Sequence, residues 1–206
     1  HSIILSIGTE EDSLEGAIAM AQQHAWRSTV RAFVDLEGSG DGTGIPYLFQ
    51  WTDDWAMDMF FKSPRPASEA AVSDLFSTRV ASNMSHYSVL RAAGISGLDI
   101  AFLTGAEVYH TMKDGLSRMS ADALQHEGDN LRQILAGMAN DVDIDNHSHE
   151  LTSGIAYGLG YGIRFDHVHQ WAVFKIVMIF LIAVIVVDFK NLVSNIKAIA
   201  AAFGFS

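Results

Sequence analysis

The sequence predicts an α/β fold in which helices are layered on a mixed, largely parallel sheet. Three observations carry this expectation. Short β-branched apolar runs alternate with helical patterns along residues 1–140, as in layered α/β domains. The chain has 206 residues, 49% hydrophobic and 18% charged, which suffices for a buried core and is too apolar for a disordered chain. Charge is also unevenly spread, with a net −13 over residues 1–150 and +2 over residues 151–206. A water-soluble unit is therefore followed by a physically different segment.

The elements follow in order. Ile3–Ile7 is β-branched and apolar and is expected as a buried strand. Gly8-Thr9-Glu10-Glu11-Asp12 is a polar turn, and Ser13 is suited to cap a helix over about Leu14–His24. Arg31–Leu36 is the next strand, closed by Glu37 and the glycine-rich loop Gly38–Gly44. Tyr47–Gln50 is a third strand. Helices are expected near Asp53–Phe61 and Ser68–Phe76, separated by Pro64 and Pro66. Leu98–Leu103 is another apolar strand. Ser120–Met138 is the clearest amphipathic helix, with Leu124, Leu131, Ile134, Leu135 and Met138 at helical spacing. Asp141–Asp145 opens a solvated linker. Trp171–Val187 is an apolar run broken only by Lys175, and it reads either as a membrane-spanning helix or as a buried core segment. The expected organisation is thus residues 1–140, a linker over 141–170, and an apolar segment and tail over 171–206.

Composition narrows the function classes. A net charge of −11 disfavours a partner whose affinity comes from phosphates, so no nucleic-acid partner is expected. The absence of cysteine excludes a disulfide framework, thiolate zinc sites and a cysteine nucleophile. In parallel sheets ligands gather beyond the carboxyl ends of the strands. Glu10, Glu11 and Glu37 fall there, and His110 follows the strand Leu98–Leu103. Carboxylates and an imidazole can hold zinc, with a neighbouring free carboxylate as the base toward an attacking water. By spacing alone the case for a metal is weak, because paired glutamates at a loop are usually just solvated.

The ordered blocks Gly8-Thr-Glu-Glu11, Gln23-His-Ala-Trp26, Arg31-Ala-Phe-Val-Asp-Leu-Glu37, Gly97-Leu-Asp-Ile-Ala-Phe102, Tyr109-His-Thr111 and Gly128-Asp-Asn130 resemble the M28 family of zinc exopeptidases. They look most like its endoplasmic reticulum metallopeptidase (Fxna-like) branch, with the related vacuolar membrane proteases. The resemblance runs from about Ile3 to Met138. It implies a three-layer α/β/α peptidase domain, aminopeptidase-type hydrolysis of a peptide substrate, and two zinc ions per complete site. It also implies a location at the endoplasmic reticulum membrane, with the vacuolar membrane as the alternative. Carried over by position, it makes Glu10 the catalytic base, Glu11 and His110 ligands of one zinc, and Glu37 a ligand of the other.

Departures from the family pattern shape further expectations. The His-x-Asp motif that precedes the paired glutamates in the family has no counterpart before Glu10. The site is therefore expected to be incomplete and the activity impaired, and the chain is read as the later part of a longer one. The alternative is a catalytically silent homologue that serves as a membrane-linked binding or scaffold domain. A Thr-Asp-Phe segment of the group appears here as Ser85-His86-Tyr87. His86 is accordingly expected at the rim of the substrate pocket, as a substrate-binding residue rather than a ligand. Asp114 is a candidate second partner for the His110 imidazole or a plain surface residue, and Asp99 is a buried acid in need of a partner. His147-Ser-His149 and His167-Val-His169 have the spacing of metal pairs beside a solvated linker. Gly154–Gly162 reads as a flexible link or a close-packed membrane segment.

Overall fold

The computed structural model describes residues 2–8, 13–38, 44–68, 85–102, 105–109, 111–151, 153–158 and 161–202. Its centre is a three-stranded sheet of β1 (Ala32–Glu37), β2 (Pro46–Trp51) and β3 (Ser96–Phe102), in the order β1-β3-β2. The sheet is mixed: β1 runs parallel to β3, and β2 runs antiparallel to it with an irregularity between Leu48 and Gln50. β3 is buried at every position because it has a strand on each side. The parallel register pairs Phe33 with Gly97, Asp35 with Asp99, and Glu37 with Ala101.

The five helices among the described residues are α1 (Glu15–Gln22), α2 (Asp54–Phe61), α3 (His86–Ala92), α4 (Ala121–Asn140) and α5 (His167–Ala202). Side chains alternate across a strand, so the sheet has two chemically distinct faces. Leu48, Leu98 and Ile100 meet Trp55 and Phe60 of α2 and Ile134 and Met138 of α4 in the hydrophobic core. The opposite face carries Phe33, Asp35, Glu37 and Asp99 and is covered by α3, whose Tyr87 ring lies 5.6 Å from Phe33. Helices therefore pack on both faces, as an α/β layering requires.

Caps explain two of these helices. Asp53 accepts a hydrogen bond from Ala56 N–H at the start of α2, and Ser120 accepts one from Ala123 N–H at the start of α4. α1 departs from expectation. Leu14, not Ser13, holds the capping position, with a left-handed φ of 55° and no side-chain cap. Along α4 the buried positions are Ala123, His126, Asn130, Ile134 and Met138, while Leu124 is 61% exposed. Two polar residues take the inner stripe because they bond inward. Asn130 Oδ1 accepts from Arg65 N–H, its Nδ2 donates to Arg65 O, and the His126 ring spans Gly44 O and Arg65 O.

Three other expectations are corrected or fall outside the described residues. Ile3–Ile7 forms no strand, and Ile3, Ile4, Leu5 and Ile7 are exposed; a β-branched run becomes a strand only where a neighbour pairs with it. The helix expected over Ser68–Phe76 lies outside the described residues beyond Ser68, which makes a single bridge to Leu48. Gly154–Gly162, read as a flexible link or membrane segment, overlaps β4 (Ser153–Gly158) and the start of β5 (Tyr161–Asp166), which pair as a two-stranded sheet.

The chain divides into two compact units, His1–Arg164 and Phe165–Ser206. The second is built on α5, whose described side chains from Trp171 to Phe189 are mainly exposed apolar ones. The membrane-spanning expectation is not upheld. Among the described residues no helix is long and apolar enough to cross a membrane.

Candidate metal centre

Asp35 and Glu37 stand two residues apart on β1 and so project from the same face of the sheet. They lie at the carboxyl end of the strand, where the chain leaves the sheet. α3 begins against them. Asp35 Oδ2 accepts the backbone N–H of Tyr87 at 2.7 Å, so a strand carboxylate holds the first turn of this short helix. That anchor fixes His86, whose Nδ1 lies 3.8 Å from Asp35 Oδ1 and 3.7 Å from Glu37 Oε1. One donor atom from each of Asp35, Glu37 and His86 lies within 4.8 Å of the others. All three side chains are largely sheltered, at 10%, 22% and 22% exposure for Asp35, Glu37 and His86.

The electrostatics favour a cation. Asp99 sits beside Asp35 in the register, almost fully buried, with Gln50 Nε2 donating to its Oδ2 at 3.0 Å. Burial pushes the Asp99 carboxyl up to about 7, the charge of Asp35 adds to the rise, and the Gln50 hydrogen bond opposes it. Burial also raises the Tyr87 phenol. Three acidic side chains, Asp35, Glu37 and Asp99, thus crowd this face of β1 and β3. Two carboxylates and an imidazole are donors of the kind that hold zinc and related divalent ions, so the residues present fit a metal.

Of the residues singled out in the sequence, Glu37 and His86 are brought together here. Glu10, Glu11 and His110 lie outside the described residues. Gly8, which precedes the paired glutamates, is described, and it lies against the His86 ring: a Cβ on Gly8 would sit 3.3 Å from His86 Cε1 and Nε2. Asp114 is exposed. It helps to line a shallow cleft of about 160 Å³ together with Gly38, Gly115, Leu116, Arg118 and Met119. The segment after position 110 therefore passes beside the residue that follows Glu37. Asp35 was not singled out in the sequence, although the strand period alone would have placed it on the face of Glu37.

Residues 2–135 match the family profile described as peptidase family M28. Endoplasmic reticulum metallopeptidase 1 of Mus musculus is 29% identical over 171 residues, 81% of this chain and 18% of the relative. The vacuolar membrane protease of Yarrowia lipolytica is 30% identical over 166 residues, 81% of this chain and 14% of the relative. Putative endoplasmic reticulum metallopeptidase 1-B of Caenorhabditis elegans is 32% identical over 140 residues, covering 66% and 16%. The chain thus spans less than a fifth of the length of these curated relatives. No solved structure matches it.

Proposed function

The chain belongs to peptidase family M28, and on that premise we propose that it forms the metal-binding part of a zinc metallopeptidase acting as an aminopeptidase. One observation carries the reading. Glu37 stands at the carboxyl end of β1 with Asp35 and His86, their donor atoms within 4.8 Å of one another, and Gly8 of the Gly-x-Glu-Glu turn abuts the same imidazole.

Zinc bound there supplies an acidified water and a polarised scissile carbonyl. The chain's own residues do the rest. Glu11, Glu37 and His110 are the proposed ligands. Glu10 takes the proton from the attacking water and returns it to the leaving amine, the usual double duty of a carboxylate base. Two peptide units separate Gly8 from Glu10, a reach of about 7 Å, which supports Glu10 acting beside His86. Asp35 orients His86 through its hold on the first turn of α3. Asp114 is the proposed partner of the His110 imidazole, and the cleft beside Gly38 is proposed to receive the peptide. Location at the endoplasmic reticulum membrane, or at the vacuolar membrane, is part of the same proposal and rests on the names of the relatives.

The test is hydrolysis of peptides with a free N-terminus by the zinc-loaded protein and by its Glu10→Gln variant. The variant is expected to bind zinc normally and to lose about 10²–10⁴-fold in kcat. Glu37→Gln is expected to lose metal as well as activity. Full activity in Glu10→Gln would remove the assigned base, and unchanged zinc content in Glu37→Gln would remove the assigned ligand.

A further inference from the structure

The pair His147-Ser148-His149, unused by the peptidase reading, lands on a buried carboxylate far from Glu37. Asp53, at 0% exposure, accepts Ala56 N–H on Oδ1 at 2.9 Å and the Thr52 hydroxyl on Oδ2 at 2.8 Å. Oδ2 also lies 2.5 Å from Ser96 Oγ and 3.7 Å from His149 Nδ1. Ser96 Oγ is in turn 2.7 Å from His147 Nε2 and 3.0 Å from His149 Nδ1. Four polar groups from α2, β3 and the segment after α4 therefore converge on one point.

We propose that Asp53, His147 and His149 form a divalent-cation site, with zinc the ion best matched to the donors, separate from the centre at Glu37. Three independent features support it. The first is ring orientation. His147 Nδ1 lies 3.0 Å from the carbonyl of Ile144, which only accepts, so Nδ1 carries a hydrogen and Nε2 is the ring nitrogen turned inward. Metal-binding histidines are commonly oriented in this way by a backbone carbonyl. The ring is further fixed by stacking on Trp55 at 4.2 Å and 17°, and Trp55 is itself tied through its indole N–H to Asp141.

The second feature is a shared focus. Ser96 Oγ lies 2.5 Å from Asp53 Oδ2, 2.7 Å from His147 Nε2 and 3.0 Å from His149 Nδ1, so the three ligand atoms face one point. An ion held there takes the place of the Ser96 hydroxyl, which turns aside or serves as a further oxygen donor. The third feature is spacing. The three ligand atoms lie within 4.8 Å of one another, and Asp53 Oδ2 is 3.7 Å from His149 Nδ1. Zinc bonds of about 2.0–2.2 Å place tetrahedral ligands roughly 3.3–3.6 Å apart. His149 is 64% exposed, which gives an ion a way in.

The two centres are distinct by topology. Ser96 opens β3 on the apolar face packed by α2 and α4, whereas Asp35 and Glu37 pair with Asp99 and Ala101 on the other face. Along the strand the separation is about 10–16 Å. The ion would staple the segment 141–151 to the start of α2, a seam already carrying the Asp54 N–H to Glu150 O bond and the Arg31–Asp145 ion pair.

The experiment uses the whole chain, stripped with a chelator and titrated with zinc, with bound metal counted and cobalt absorption recorded in parallel. Loss of an outer-shell partner costs about 10–100-fold in metal affinity, so His147→Ala/His149→Ala should lose at least about 100-fold at one equivalent. The exposed position gives a milder variant, His149→Gln, which should weaken the same equivalent without disturbing the fold. Glu37→Gln should retain it. Equal metal content in the wild type and in both histidine variants would overturn the proposal. So would a segment 141–151 whose hydrogen-exchange protection is unchanged by zinc.

Discussion

Gly97 governs the close pairing of β1 and β3. A Cβ at this position would lie 2.4 Å from Phe33 Cδ1 and 2.5 Å from the Phe33 carbonyl oxygen, and a backbone oxygen cannot swing aside as a side chain can. Gly97→Ala is expected to cost about 1–3 kcal/mol through overpacking, read as a lower urea midpoint; an unchanged midpoint would remove this role. Asp99 offers a second test. Burial holds its carboxyl at about 7 in the folded chain, above the ordinary aspartate value of 3.8, so the folded state favours the protonated acid. That contribution is complete below about pH 4, declines as pH rises toward 7, and is lost above it. Each tenfold gain in proton affinity on folding is worth about 1.4 kcal/mol. In chelator, Asp99→Asn should therefore abolish a fall in stability between about pH 4 and 7 and stabilise the protein above that range. An unchanged pH profile would contradict the assigned burial. Asp99 could be flagged from the sequence as an acid inside an apolar strand, but not its neighbour Asp35, because only the register pairs them.

The elements show how local rules succeed and where they stop. Ser120 and Asp53 cap α4 and α2, and each helix starts within a residue or two of where the pattern suggested. Replacing Ser120 with Ala is expected to cost about 1 kcal/mol, measurable as a drop in melting temperature, and no change would mean that the cap is redundant. The stripe of α4 was less legible. Leu124 has the right spacing yet points outward, while His126 and Asn130 turn inward to hold the Arg65 backbone. Asn130→Ala would leave Arg65 N–H and O without these partners, at a cost of about 1–3 kcal/mol. A smaller loss than in an exposed control such as Asn140→Ala would refute the inward role.

At the level of the whole molecule, the sheet separates two kinds of chemistry. One face is apolar and joins α2 and α4 in the core. The other carries carboxylates under α3 and forms the centre proposed to bind zinc. A ligand that binds only the folded state stabilises by mass action. Zinc at about 100 times its dissociation constant should therefore add about 2.7 kcal/mol per site. Chelation should reverse the gain, and Glu37→Gln should shrink it. A melting temperature indifferent to both zinc and chelator would argue against either centre holding an ion in the folded chain.

The alternation of strand and helix, the strands β1 to β3, the helices α2 and α4, and Glu37 at a strand end were all determined by the sequence alone. Each depends on side-chain period, caps and breakers within a few residues, which are local physics. The tertiary structure decided the rest. Ile3–Ile7 has strand composition but stays exposed, because pairing needs a partner. His86 meets Glu37 across forty-nine positions, and His147 and His149 meet Asp53 across more than ninety. Those meetings follow from sheet register and helix packing, which no short stretch of chain encodes by itself.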